Sequence, residues 1–147
     1  MNISLPTYDQ FIEPILRILQ QYPEGLRAAE VHDAAADYLQ LTQEQRSELL
    51  SSGQAVYKNR CGWAHDRLKR AGLSFSPRRG LWQLSKEGIV YIKQNSGAIA
   101  EDEIQRIANS YYDGLAAAED NQAVVFVFLL SGQASPDDQS EQALQVL

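Results

Sequence analysis

Cysteine is nearly absent: Cys61 is the only one in 147 residues. No intrachain disulfide can form, and a cysteine-based zinc cluster is excluded. Histidine is scarce as well. His32 and His65 lie far apart with no cysteine pair, which does not make a zinc site. Long apolar runs are missing. The longest, "AVVFVFLL" at 123–130, falls well short of the roughly 20 residues that span a bilayer. Residues 1–7 have no basic segment leading into an apolar stretch, so no secretory signal is expected. Together these absences point to a reducing, cytoplasmic setting without membrane contact. There is no internal repeat.

What is present is an ordinary globular composition, 44% hydrophobic and 22% charged, with an uneven charge distribution. Residues 1–53 carry three basic and eight acidic side chains. Residues 54–99 carry nine basic and two acidic, and residues 100–147 one basic and nine acidic. The formal net charge of −6 therefore conceals a basic island. Between Lys58 and Arg79 there are seven cations and one acid, a density that suits a polyanion partner.

Local signals outline the elements. Thr7 and Gln10 have capping-box spacing and predict a helix from about residue 8, with Phe11, Ile12, Ile15, Leu16 and Leu19 at helical intervals. Pro14 is expected to kink this helix or shift its regular start. A turn at Pro23-Glu24-Gly25 leads to a second helix over 28–39, with Val31, Ala34, Ala35, Tyr38 and Leu39 inward. Thr42 and Gln45 repeat the capping box before a short helix over 43–50. A longer helix over 55–71 carries most of the basic island and stops at Gly72. Two half-apolar runs, 73–76 and 81–84, flank Pro77-Arg78-Arg79-Gly80 and predict a β-hairpin with Trp82 as its core anchor. A helix from Ser85 to about residue 94 follows, with Ile89, Val90 and Ile92 inward, then an Asn95-Ser96-Gly97 linker.

Residues 101–118 predict a helix with acids in its first turn, where they complement the helix dipole. The run 124–130 is either a buried strand or a buried helix. Ser135-Pro136 starts a helix with proline in the first helical position. The expected core holds Phe11, Ile15, Val31, Leu68, Trp82 and Leu84.

Helices followed by a hairpin with arginines at its tip form the pattern of a winged helix, a helix-turn-helix variant. At 100° per residue, Val56, Tyr57, Cys61, Ala64, Leu68 and Ala71 share the core side of the basic helix. Lys58, Asn59, Gly62, His65, Asp66, Lys69 and Arg70 fall on the opposite, exposed side. Arg60 and Arg67 sit at the edge beside Trp63, placed either to follow phosphates or to lay their stems over the indole. Gly62 costs roughly 1 kcal/mol of helix propensity. Close approach of another backbone, DNA or a neighbouring element, would account for it.

Catalytic signals are weak. No serine or cysteine nucleophile lies in a recognisable motif beside His65, which reads as a surface donor. Cys61 reads as a small packed residue. Pro136-Asp137 matches the first half of a restriction-type nuclease motif, but no lysine follows to complete the second half. No catalytic residue, metal ligand or cofactor site is expected.

"PTYDQFIEPILRIL" and "SGQAVYKNRCGWAHDRLKRAGL…RRGLWQLSKEG" closely resemble the N-terminal domain of the Mrr family, modified-DNA restriction proteins of bacteria. The resemblance spans 5–94, and "SPDDQSEQALQ" is similar to the opening of that family's interdomain helix. It implies a winged-helix DNA-binding domain coupled to a C-terminal PD-(D/E)xK nuclease domain. It implies that Lys58, Asn59, Arg60, Lys69 and Arg70 lie on the recognition helix and Arg78 and Arg79 on the wing. Cys61 stands where a small residue such as alanine is expected. The nuclease domain is the large departure, since it is missing from this sequence.

The expected organisation is a mainly α winged-helix DNA-binding domain at 5–95, with a small β-hairpin. An acidic extension at 96–147 holds a helix, an apolar segment and the start of an interdomain helix. The expected function is a non-catalytic module that targets double-stranded DNA, modified or unmodified, through Lys58, Asn59, Arg60, His65, Lys69, Arg70, Arg78 and Arg79. The alternative is a winged-helix protein–protein interaction or dimerisation module. In addition, residues 124–147 are the expected contact of a homodimer, with docking of the apolar run back onto the helix before it as the other option.

Overall fold

The computed structural model describes residues 4–110: a mainly helical fold with one small antiparallel sheet, arranged as a winged helix. Proline placement shapes its start. A 3-10 helix, Tyr8–Phe11, precedes α1 (Ile12–Gln20). Pro14 therefore falls in the first turn of α1, where a missing N–H removes no intrahelical bond. The Gln10 side-chain oxygen accepts from the Thr7 backbone N–H at 2.9 Å, and the Thr7 hydroxyl donates to Asp9.

Helix α2 (Ala28–Tyr38) buries Val31 and Ala35, but Tyr38, expected inward, is 53% exposed. The chain turns away there: Leu39 caps the helix and Gln40 takes a left-handed φ of 56°. Helix α3 (Gln43–Ser47) has a complete capping box, with Gln45 N–H to Thr42 Oγ1 at 3.1 Å and Thr42 N–H to Gln45 Oε1 at 2.7 Å. It stops short of residue 50 because Leu49 pairs with Ala55 in an isolated β-bridge.

Helix α4 (Val56–Arg70) ends in a Schellman turn. Leu73 N–H reaches Leu68 O and Gly72 N–H reaches Lys69 O, both at 3.0 Å, with Gly72 at φ 80°. The hairpin follows as β2 (Ser74–Arg78) and β3 (Leu81–Leu84). Its turn is the two residues Arg79-Gly80, with Gly80 at φ 78°, so Pro77 and Arg78 belong to the strand. A third strand, β1 (Leu26–Arg27), pairs with β3 and gives the order β1-β3-β2. Two residues are too few to show an alternating pattern, and this strand is absent from the sequence-based expectation.

Ser85 joins the hairpin to α5 (Lys86–Gln94) by accepting from Gly88 N–H at 3.0 Å and donating to Gly72 O at 2.6 Å. Gly88 is required by packing: a Cβ there would stand 1.9 Å from the Leu73 carbonyl oxygen. Ile92 is fully buried, but Val90, expected inward, is 52% exposed because its side of α5 has no covering element among the described residues.

The segment after α5 is pinned rather than loose. Arg17 donates to the carbonyls of Asn95 (2.6 Å) and Gly97 (2.5 Å), and Glu13 accepts from Ile99 N–H at 3.2 Å. Helix α6 (Glu101–Ala108) then buries Ile104, Ile107 and Ala108 against α4, α1 and the 3-10 helix. Phe11, Ile15, Val31, Leu68, Trp82 and Leu84 all lie in the core, as expected. The remainder of the helix expected to 118, the run 124–130 and the helix start at 135 fall outside the described residues.

Candidate nucleic-acid interface

An amphipathic helix needs one apolar partner face, but α4 is packed against α1, α2, α6, β2 and the 3-10 helix. The wheel holds on its core side, where Val56, Tyr57, Cys61, Ala64 and Leu68 are buried. It fails on the opposite side: Asn59, Gly62, His65 and Asp66, expected exposed, are buried too. The reason is tertiary. More than one layer closes over the helix, so its polar residues face other protein groups.

His65 is fully buried and lies flat on Trp82, with ring centroids 4.0 Å apart and planes 8° from parallel. The expectation of a surface donor is corrected by this contact. His32 meets the same indole edge-on, at 5.4 Å and 73°. Both histidines of the chain thus brace the hairpin's anchor against α2 and α4. Asn59 is 5% exposed and sits in the wall of a cavity of about 300 Å³ with Tyr8 and Arg60.

Arg60 is turned to the N-terminal segment. Its guanidinium donates to Leu5 O (3.1 Å) and Pro6 O (2.8 Å), and burial pushes its pKa down while Glu48 opposes the shift. Arg67 takes the indole alternative. Its guanidinium carbon is 5.1 Å from the Trp63 ring centre and 5.7 Å from that of Tyr8, with 1% of the residue exposed. Asp66 binds Arg67 at 2.6 Å and Arg70 at 2.9 Å through one carboxylate oxygen.

The remaining cations reach the surface in separate places. Lys58 is half-buried, its ammonium 5.9 Å from the centre of the Tyr57 ring. Lys69 (half-buried) and Arg70 (exposed) lie at the other end of α4, about 16 Å along the axis. Arg78 and Arg79 are exposed at the hairpin tip. The third strand adds a cation that sequence reasoning missed. Arg27 in β1 pairs with Leu81, and Arg78 in β2 pairs with the same Leu81 from the other side. Ala28 N–H to Gly80 O, 2.8 Å, ties the tip to the start of α2.

The end of the sheet therefore holds three exposed arginines, 27, 78 and 79, and none has an ion pair among the described residues. Strands β1, β2 and β3 contain no acidic residue. Such a surface can hold phosphates. Among the described residues no group of three His, Cys, Asp or Glu side chains is placed to hold a metal ion, and no helix is long and apolar enough to cross a membrane.

Comparison with known proteins agrees with the motif reading. No solved structure matches the chain. The Type IV methyl-directed restriction enzyme EcoKMrr of Escherichia coli (strain K12) is 42% identical over 158 aligned positions, covering 99% of this chain. The alignment takes in 50% of that protein, so the chain spans about half the length of this curated relative. The family model described as the Mrr N-terminal domain matches residues 8–94, more than half of the chain. The chain belongs to the Mrr N-terminal domain family.

Proposed function

We propose that this chain is a DNA-targeting module that binds double-stranded DNA, modified or unmodified, and does not itself cut it. The observation that carries the reading is the group of arginines at the sheet end, exposed and without ion pairs in a chain of net charge −6. An acidic protein that keeps three unpaired cations together is built for an anionic partner. Arg78 and Arg79 on the wing, with Arg27 beside them, take phosphates, and Lys58, Lys69 and Arg70 supply further contacts along α4. Asn59, Arg60 and His65 serve packing instead, since each is engaged inside the fold. The similarity to a methyl-directed restriction enzyme supports DNA as the partner.

The test is a salt titration of the full chain on duplex DNA. Neutralising about five phosphates gives log K falling with log salt at a slope near −4.5. Replacing Arg78 and Arg79 together by alanine lowers that slope by roughly 2. Binding indifferent to salt overturns the reading. A magnesium-dependent nick lost with Asp137→Asn overturns the non-cutting half. The apolar run at 124–130 lies in a segment, 124–147, to which the same reading assigns pairing between two copies of the chain. Sedimentation at several concentrations tests this, with a strictly monomeric chain as the opposing result.

A further inference from the structure

The outer face of the three-stranded sheet carries an aromatic residue that the core does not use. Residues paired across antiparallel strands point to the same face, and alternate positions along a strand share it. Trp82 and Leu84 are buried, so Leu81 and Gln83 face outward. Their partners follow: Phe75 pairs with Gln83, and Arg27 and Arg78 both pair with Leu81. Phe75 is 42% exposed on this face, among the few large apolar side chains left in water. The charged residues within the three strands, Arg27 and Arg78, are both arginines.

The β2 edge of the sheet is poorly suited to pairing with another strand. Pro77 removes an N–H from β2, and the register breaks between Phe75 and Arg78. Both features discourage edge-to-edge pairing. What remains available is the face: an aromatic ring on β2 at the level of Gln83, next to a row in which Arg27 and Arg78 lie on either side of Leu81. Arg27 and Arg78 stand two strand spacings apart, roughly 10 Å, with Leu81 between them. An exposed ring with two cationic side chains on the same face is the chemistry that holds an unstacked base with its neighbouring phosphates.

We propose that this sheet face binds an unpaired or unstacked nucleotide of a DNA strand: Phe75 stacks on the base, while Arg27 and Arg78 hold the flanking phosphates. The proposal rests on the DNA-binding reading above and adds a preference that phosphate contact alone does not produce. An intact duplex keeps its bases stacked internally and offers Phe75 only sugar edges. A duplex with one extruded base offers a π-face.

The experiment measures anisotropy of the full chain on two duplexes of equal length, one intact and one with a single extra 2-aminopurine. The expected preference for the bulged duplex is about tenfold, within the range of one base–aromatic stack. The 2-aminopurine emission changes on binding. Phe75→Ala abolishes both the preference and the emission change, Phe75→Tyr retains them, and Arg27→Ala weakens binding to the bulged duplex more than to the intact one. Phe75 is exposed, and an unchanged melting temperature shows that Phe75→Ala stays folded.

Equal affinity for the two duplexes, or a preference that survives Phe75→Ala, overturns the inference while leaving duplex binding intact. Binding to the bulged duplex alone upholds the inference and removes the duplex reading, and binding to neither removes both. Self-association lost on Phe75→Ala without DNA overturns it in favour of a protein contact.

Discussion

The imidazole of His65 stacks on the indole of Trp82, ring centroids 4.0 Å apart and planes within 8° of parallel. One residue belongs to the middle of α4 and the other to the hairpin, so this pair joins the wing to the central helix. His65→Ala leaves a cavity against Trp82. It is expected to cost about 2–4 kcal/mol in urea unfolding, and Trp82→Ala about 3–5 kcal/mol. A double-mutant cycle should return a coupling near 1 kcal/mol, as for other ring pairs. A coupling of zero would mean that the stack contributes no more than area.

Gly88 gives a sharper packing test. Alanine there places Cβ 1.9 Å from Leu73 O, a backbone atom that cannot move without disturbing the Ser85 junction. A loss of about 3 kcal/mol is expected, at the upper end of ordinary overpacking. Gly97→Ala has nothing within 4 Å and should change stability by less than about 0.5 kcal/mol. Similar melting temperatures for the two variants would contradict the close approach.

Asp66 holds two arginines through one buried oxygen. Asp66→Ala leaves Arg67, 1% exposed, without this carboxylate. Breaking a buried pair from one side costs roughly 3–5 kcal/mol. Replacing Arg70, whose side chain is 36% exposed, should cost under 1 kcal/mol. Chemical denaturation separates the two, and a reversed order would place the ion pair's weight on the surface member.

Two tyrosines are placed to make stability fall at alkaline pH. Burial, together with Asp33, raises the pKa of Tyr57, whose hydroxyl donates to Asp33 at 3.3 Å. Burial, together with Glu103, raises that of Tyr91, which donates to Glu103 at 2.9 Å. Folding therefore favours the neutral phenols. Their contribution is complete below the unfolded value, about pH 10, and is lost as pH rises through the higher folded values. Melting temperature should fall as pH rises above about 10, and the Tyr57→Phe, Tyr91→Phe double variant should flatten that fall. An equal fall in the variant would assign the alkaline loss to other groups.

Short-range chemistry was legible in the sequence. Capping boxes at Thr7 and Thr42, the Gly72 helix stop and the Ser85 cap all act between residues a few positions apart, and each stands where its spacing predicted. The hairpin, its Trp82 anchor and the apolar side of α4 were equally legible, because alternation and helical periodicity record which side must leave water. The tertiary structure alone decided the rest. Asn59, His65 and Asp66 read as an exposed face only while a single partner surface is assumed. They are buried because elements far away in sequence close over α4, as the contacts of His65 with Trp82 and Arg60 with Leu5 illustrate. Arg27 joins Arg78 through strand pairing across some fifty residues, a relation that no local pattern encodes. A sequence states the affinity of each segment for water; which cations remain exposed is settled only when the segments pack.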